Sequence, residues 1–445
     1  MKERSEENIP AAVSEGTKQA GDVRARWPWT EPQAWTDRML AALEKGVKGG
    51  KWFSLIDKVY SPGVLKAAFE RVKANGGAPG VDRQTIEMFE KRLDANLTYL
   101  SEQLQKGTYR PQAIRRTYIP KPGSTEKRPL GIPTVRDRVV QTAIRAVIEP
   151  IFEREFAEQS YGFRPGRGCK DALRRVAGLL KDDYIWVVDA DLKSYFDTIP
   201  HQRLMEEVRR RISDGRVLET IESYLKQEVM ETVSTWTPEQ GAPQGAVLSP
   251  LLSNIYLDPL DKLMADKNVE MVRYADDFVL LCKSEQEALE ALREVEKWTS
   301  KRGLKLHPEK THIVDATQRG GFDFLGYHFE RGYRWPRKKS LNKLKDTIRL
   351  KTKRANGHSL EMIIYNVNQT LGGWFEYFKH SHWTTFRPLD GWIRMRLRSI
   401  LRKRNHGEGR GRGSDHQRWP NAYFAERGLF SLAAAHAEAR QSSKR

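Results

Sequence analysis

MVRYADDFVLLCK, residues 271–283, decides how the rest of the chain is read. Two short apolar runs flank an acidic corner. Val272 and Tyr274 lead in, residues 278–282 lead out, and Ala275, Asp276 and Asp277 form the corner, so the stretch predicts a β-hairpin. Neighbouring carboxylates between β-formers repel each other and lose water. A hard divalent cation such as Mg²⁺ takes carboxylate oxygens and removes that conflict. A bare Asp-Asp pair is better explained as a solvated turn. It becomes a metal site only if a third carboxylate arrives from elsewhere.

Residues 184–201, YIWVVDADLKSYFDTIPH, supply one. Residues 185–188 form a β-branched and aromatic run, the pattern of a buried strand. It ends in Asp189 and Asp191, with Asp197 beyond an aromatic pair. Asp191 precedes Asp276 by 85 positions, so only tertiary folding unites them. A two-metal site uses such a set, with ions roughly 3.5–4 Å apart. Asp189 and Asp197 have the weaker case, since a helix cap or a solvated position accounts for each.

Three motifs now stand in order: DADLKSYFD at 189–197, GAPQGAVLSPLLSNIYLDPLD at 241–261 and YADD at 274–277. Their order and spacing resemble the reverse transcriptases of the group II intron maturase family, over about residues 60–435. The resemblance implies an α+β right-hand polymerase: fingers, a palm with an antiparallel sheet, then an α-helical thumb or maturase domain. The expected divisions are a flexible arm at 1–50, an N-terminal extension and fingers at 51–180, and a palm at 181–330. A thumb at 331–404 precedes a linker and a small basic DNA-binding module at 405–445.

The resemblance also implies site residues. Asp191, Asp276, Asp277 and the carbonyl of Leu192 would hold two Mg²⁺ ions. Tyr195 would be the aromatic gate under the incoming sugar, which selects deoxynucleotides. Lys121 and Arg128 would bind the triphosphate, Gln244 the nucleotide, and Lys310 would stand near the leaving pyrophosphate as a general acid. Arg164 and Arg167 would lie along the template backbone. Gly326 would belong to the primer-grip hairpin at 322–327. The implied partners are dNTPs, an RNA template with a DNA primer, target DNA and the intron RNA itself.

Composition agrees with a polyanionic partner. The 445 residues hold 77 Lys+Arg against 58 Asp+Glu, a net charge of +19. Residues 331–445 carry 26 basic and 8 acidic side chains, so nearly all the excess lies there. Five of the 12 tryptophans lie there too, which argues against a disordered tail. Cys169 and Cys282 are the only cysteines, which excludes a disulfide framework and a Cys-rich zinc site. The HNH-type endonuclease with cysteine pairs that ends many family members is not expected, nor is second-strand cutting. No apolar run is long enough to span a bilayer, and the expected location is cytoplasmic.

Along the chain, residues 1–26 are polar and expected to be disordered. WPWTEPQAW at 27–35 and a short helix at 36–43 form either a clip onto the body or a loosely docked arm. Helices are expected at 61–73, 84–106, 136–156 and 285–302, with a glycine-rich loop NGGAPGVD at 75–82. Strands at 114–119 and 128–132 flank a Pro122-Gly123 turn in a basic hairpin. Three basic helices at 337–354, 362–378 and 389–404 are followed by a flexible linker at 405–418. Three other readings stay open: a splicing factor with a vestigial polymerase, an RNA polymerase, and a domesticated relative serving defence or repair.

Overall fold

The computed structural model describes residues 23–120, 127–231, 234–411 and 413–442. Lys121 and the Pro122-Gly123 turn lie outside the described residues, as does most of the polar 1–26 segment.

The palm is a four-stranded antiparallel sheet. With strands numbered along the chain, β1 (Ile114–Pro120), β2 (Lys127–Ile132), β3 (Trp186–Asp191), β4 (Val229–Glu231) and β5 (Ser234–Trp236) come first. They are followed by β6 (Glu270–Tyr274), β7 (Asp277–Cys282), β8 (His312–Asp315), β9 (Phe322–Phe324), β10 (Tyr327–Glu330) and β11 (Tyr333–Pro336). The palm order is β6-β7-β3-β8. Its central strands are buried on both faces, which is why 187–188 and 278–282 are continuous apolar runs rather than alternating ones. The helices Ser249–Asp266 and Glu285–Lys301 pack on it and share its core.

The fingers hold a second sheet, β2-β1-β4-β5. β1 and β2 pair from Arg115–Ile132 to Pro120–Lys127, and β1 runs parallel to β4 at Ile114–Val229. The helix Val135–Glu153 leads back from it and is buried almost throughout.

Residues 23–50 are not a flexible arm. Trp35 is fully buried and its Nε1 donates to Ala146 O on the Val135–Glu153 helix at 3.1 Å. Arg24 pairs with Asp37 and Arg26 with Glu44, and Thr36 caps the helix Asp37–Lys45. The prolines that break WPWTEPQAW shape a clip whose tryptophan fills the fingers core.

A third sheet, β11-β10-β9, joins palm to thumb. The thumb helices are Lys338–Lys351, Leu360–Phe378 and Phe386–Arg404. Residues 405–418 are not a free linker either. Arg402 donates to Glu408 O and to Asp415, and the buried Arg398 donates to Trp419 O at 2.9 Å. Trp419, Phe424 and Leu432 enter the same apolar core as the three thumb helices. Asp390 accepts Leu432 N and Ala433 N, capping the helix Leu432–Ser442 from the neighbouring helix. The described residues beyond 404 are therefore a continuation of the thumb. Their glycines and charges obscured this, because the buried anchors Trp419, Phe424 and Leu432 are widely spaced.

Candidate active site

The hairpin of β6 and β7 turns through two residues, since Tyr274 pairs with Asp277. Ala275 has φ of +60°, a left-handed conformation that a residue with a Cβ adopts at a cost of about 1–2 kcal/mol. The strain is held by a network beneath. Arg273 and Asp261 are both completely buried and joined, with Arg273 Nε to Asp261 Oδ1 at 2.7 Å. The same guanidinium donates from Nη1 to Ala275 O at 2.8 Å and to Asn254 Oδ1 at 3.0 Å. Asn254 in turn donates to Gly162 O at 2.8 Å. A Cβ on Gly162 would lie 2.3 Å from Ala275 N, so only glycine lets residues 160–162 lie against the turn.

Asp191 ends β3 directly opposite Asp277 in the β3–β7 register. Asp276 is the turn residue next to it. Asp189 sits two residues back along β3, against Val279. Burial first, then the charges of Asp189, Asp276 and Asp191, push the Asp277 carboxyl up to about 7. Asp189 rises to about 7 through burial and the charges of Asp323 and Asp191. Burial also raises Asp276, with Asp191 adding to it and Arg128 and Arg273 opposing.

The donor set suits a hard cation: carboxylate oxygens only, crowded and short of counter-charge. Among the described residues no three such side chains already converge as a ligand cluster. A lysine ammonium stands where a cation is needed instead. Lys310 Nζ lies 2.6 Å from Asp191 Oδ2. Lys310 is delivered by the 307–311 turn, anchored by His307 N to Asp191 O at 2.8 Å. The Leu192 side chain is buried in the core.

A cavity of about 350 Å³ opens between fingers and palm, lined by Arg116, Gly131, Phe196, Asp197, Gly241 and Gln244, among others. Its walls are stitched together. Gly131 N donates to Gln244 O at 2.7 Å, and Ala242 N to Phe196 O at 2.7 Å. A Cβ on Gly245 would lie 2.5 Å from Gly131 O, and one on Gly241 2.8 Å from Phe196 O. The small residues of GAPQG thus let the loop touch two backbones at once.

Tyr195 does not face this cavity. It is 2% exposed and its hydroxyl donates to Ser253 O at 2.9 Å inside the palm core. Its neighbour Phe196 lines the cavity beside Gln244. The aromatic gate expected at 195 therefore has its candidate at 196, which packs against the core on one side and lines the cavity on the other. Adjacent residues on a helical turn point about 100° apart, so one of the pair had to face inward.

Arg164 does not lie on a template path. Its guanidinium is buried, grips Glu153 at 2.8–3.0 Å, and donates to Ala157 O and Ser160 O. Arg167 donates to Glu158 O at 2.9 Å and pairs with the exposed Glu158 carboxylate, keeping partial exposure.

Leu325 and Gly326 both have positive φ, the two-residue turn between β9 and β10. Gly326 O accepts Arg337 N at 2.9 Å and Ser340 Oγ at 3.1 Å, docking the hairpin tip on the thumb. A cleft of about 580 Å³ runs here, lined by Asp277, Gly326, Arg337, Lys343, Trp374 and Tyr377, among others. Arg337 Nε and Trp374 Nε1 are buried without hydrogen-bond partners. Neither residue stood out in the sequence, because each lies in a stretch that equally fits a basic or aromatic thumb helix.

Carboxylates from two strands, a cavity on the fingers side and a cleft on the thumb side form a polymerase palm. The sequence pattern described as reverse transcriptase (RNA-dependent DNA polymerase) matches residues 119–329, and that of the group II intron, maturase-specific domain matches 341–419. Protein YkfC of Escherichia coli strain K12 is 34% identical over 347 residues, covering 69% of this chain and 86% of that protein. The chain belongs to the group II intron reverse transcriptase/maturase family. The family's group II intron-encoded protein LtrA of Lactococcus lactis is 29% identical to this reverse transcriptase over 403 residues. That match covers 73% of this chain and 64% of LtrA, slightly under two thirds of its length. A solved structure titled partial Cas6-RT-Cas1–Cas2 complex is 26% identical, covering 56% of this chain and 41% of that chain at a TM-score of 0.37. No helix among the described residues of this reverse transcriptase is long and apolar enough to cross a membrane.

Proposed function

We propose that this reverse transcriptase copies intron RNA into DNA in the cytoplasm, and that its thumb binds the same RNA to assist splicing. The observation that carries the reading is the Asp191–Asp277 register, with Asp277 lining the cleft toward the thumb. Asp191, Asp276 and Asp277, with the Leu192 carbonyl, would hold two Mg²⁺ ions. When bound, these would acidify the primer 3′-hydroxyl and offset charge on the leaving pyrophosphate.

The chain's own residues do the rest. Arg128 and Lys121 engage the triphosphate, the arginine with paired donors and the lysine as a point charge. Phe196 packs under the sugar, where a ribose 2′-hydroxyl would clash, so dNTPs are the substrate. Gln244 borders the nucleotide. Lys310 exchanges its bond with Asp191 for the phosphate and is available to protonate the departing oxygen. Gly326 brings backbone close to the primer terminus, and Arg167 touches template phosphate. The basic thumb, continued by residues 405–445, holds RNA and target DNA through phosphate contacts.

Asp276→Asn is expected to abolish primer extension on an RNA template while RNA affinity stays within about twofold. Persistent extension by that variant would refute the assignment.

A further inference from the structure

Four aromatic rings gather where β11 meets the short turn Trp383–Thr385. Tyr333 and His382 lie edge to face at 4.8 Å. Trp335 lies 5.5 Å and Trp383 5.6 Å from the same imidazole. The cluster is rigidly built. His382 N donates to Arg334 O at 2.8 Å, and Arg334 Nε to His380 O at 3.0 Å. His382 Nδ1 and Trp335 Nε1 reach the same Thr384 hydroxyl at 2.8 and 3.4 Å. Yet two of the rings face water: Tyr333 is 56% exposed and Trp383 57%. Leaving two large rings exposed against one imidazole forgoes burial worth roughly 25 cal/mol per Å², so folding alone does not explain the arrangement.

The surface is separate from the catalytic cleft. β10 begins at Tyr327 beside the Leu325-Gly326 turn, which lines the cleft with Asp277. Tyr333 pairs with Glu330 at the other end of β10, about 10 Å farther along the strand. None of the four rings lines that cleft.

Its surround is basic. Lys170, Arg174, Arg334 and Lys379 all act on His380, and Arg440 acts on His436. Asp171 pairs with Arg174, Glu376 with Lys379, and Glu330, opposite Tyr333, interacts with Arg331, so the cations named here outnumber the acids by six to three. Exposed ring faces within a positive field suit a partner with flat π-surfaces on an anionic chain. A duplex hides its base faces, whereas an unpaired strand offers them. His382 and Trp383 also lie inside the segment matched as the maturase-specific domain.

We propose that Tyr333 and Trp383 form a stacking platform for unpaired RNA bases, with the surrounding Lys and Arg side chains taking the phosphates. The proposal rests on the reading that this chain binds intron RNA, and it adds where and in what state that RNA is held.

The test uses the full chain with a mixed-sequence single-stranded RNA, a blunt RNA hairpin and the matching single-stranded DNA. Tyr333→Ala and Trp383→Ala are each expected to weaken single-stranded RNA binding by roughly tenfold, with Trp383→Phe retaining it. Hairpin affinity should change less than about twofold. The salt dependence of binding should keep its slope, because stacking releases no counterions. Unchanged single-strand affinity in the double variant overturns the proposal, and so does an equal loss on the hairpin. A larger loss on DNA than on RNA overturns it as well. Should the alanine variants fail to fold, 4-thiouridine RNA crosslinked to the unaltered protein decides. Adducts on Tyr333 or Trp383 support the platform; adducts elsewhere only, or capture of a protein by this face without RNA, overturn it. Loss of the polymerase reading would show in Asp276→Asn extension assays and leave these binding comparisons untouched.

Discussion

Asp191 and Asp277 stand opposite each other on neighbouring antiparallel strands, at the one register position where both chains carry a carboxylate. Folding has brought together charges that 85 residues of sequence keep apart. That arrangement is costly without a counter-ion: burial first, then the charges of Asp189, Asp276 and Asp191, push the Asp277 carboxyl up to about 7. Asp277→Asn should therefore stabilise the metal-free protein by about 1 kcal/mol, or roughly 1 °C in Tm for a chain of this length, while abolishing extension. Thermal melts with and without Mg²⁺ check this. The unaltered protein should gain stability from Mg²⁺, and the variant should gain much less.

Lys310 is the counter-charge Asp191 has at hand. Both side chains are partly exposed, so the pair is worth at most about 1 kcal/mol. Lys310→Ala should let Mg²⁺ bind up to about fivefold more tightly in the absence of nucleotide. It should also slow extension at saturating Mg²⁺, because the ammonium is lost from the pyrophosphate side. A metal titration followed by melting separates the two effects.

Phe196 and Tyr195 are neighbours with opposite jobs. Phe196→Ala should admit ribonucleotides, raising rNTP relative to dNTP incorporation by tenfold or more, on the order of a 1.4 kcal/mol relief of clash. Tyr195→Ala should instead destabilise the palm by about 3–5 kcal/mol with no change in sugar choice, because it empties a core site and removes the hydroxyl bond to Ser253 O. Side-by-side incorporation assays and melts distinguish the pair.

The same two residues show what a sequence can and cannot carry. The Asp276-Asp277 hairpin and the strand that ends in Asp191 were legible, because alternation and apolar runs are local signals. Which of two adjacent aromatics faces a cavity depends on where Ser253 and Gln244 arrive from other elements. Arg164 misled for a related reason. A basic turn looks like a phosphate grip until Glu153 appears beside it. Trp35 and Trp419 were ambiguous within polar, proline- or glycine-rich stretches, where a single buried ring decides docking. Arg273 was invisible as a functional residue, since an arginine inside a strand carries no sign of a buried aspartate twelve positions earlier.

Arg164 gives a direct test of that correction. Arg164→Ala should leave RNA affinity and its salt slope unchanged, because no phosphate contact is removed. It should lower stability by about 3–5 kcal/mol, since Glu153 would stay buried with its charge unpaired. Lysine at this position should recover only part of the loss, as it cannot reproduce the fork onto Glu153 and the two carbonyls.

Arg273 tests whether the catalytic turn is held from below. Arg273→Ala would strand a fully buried Asp261 and should cost about 3–5 kcal/mol, so the informative variant is Arg273→Lys. Lysine keeps the charge near Asp261 but cannot also reach Ala275 O and Asn254, which now fix the left-handed residue beside Asp276. Extension by Arg273→Lys should fall tenfold or more in kcat, with dNTP KM and RNA affinity nearly unchanged, because the residue touches neither ligand. Asn254→Ala, which removes the acceptor and the link to Gly162, should reproduce the same split more mildly. Ala275→Gly relieves the strained conformation directly, and in the Arg273→Lys background it should restore part of the lost kcat. If the glycine instead lowers kcat further, the network serves only palm stability and the turn is set by the strands alone.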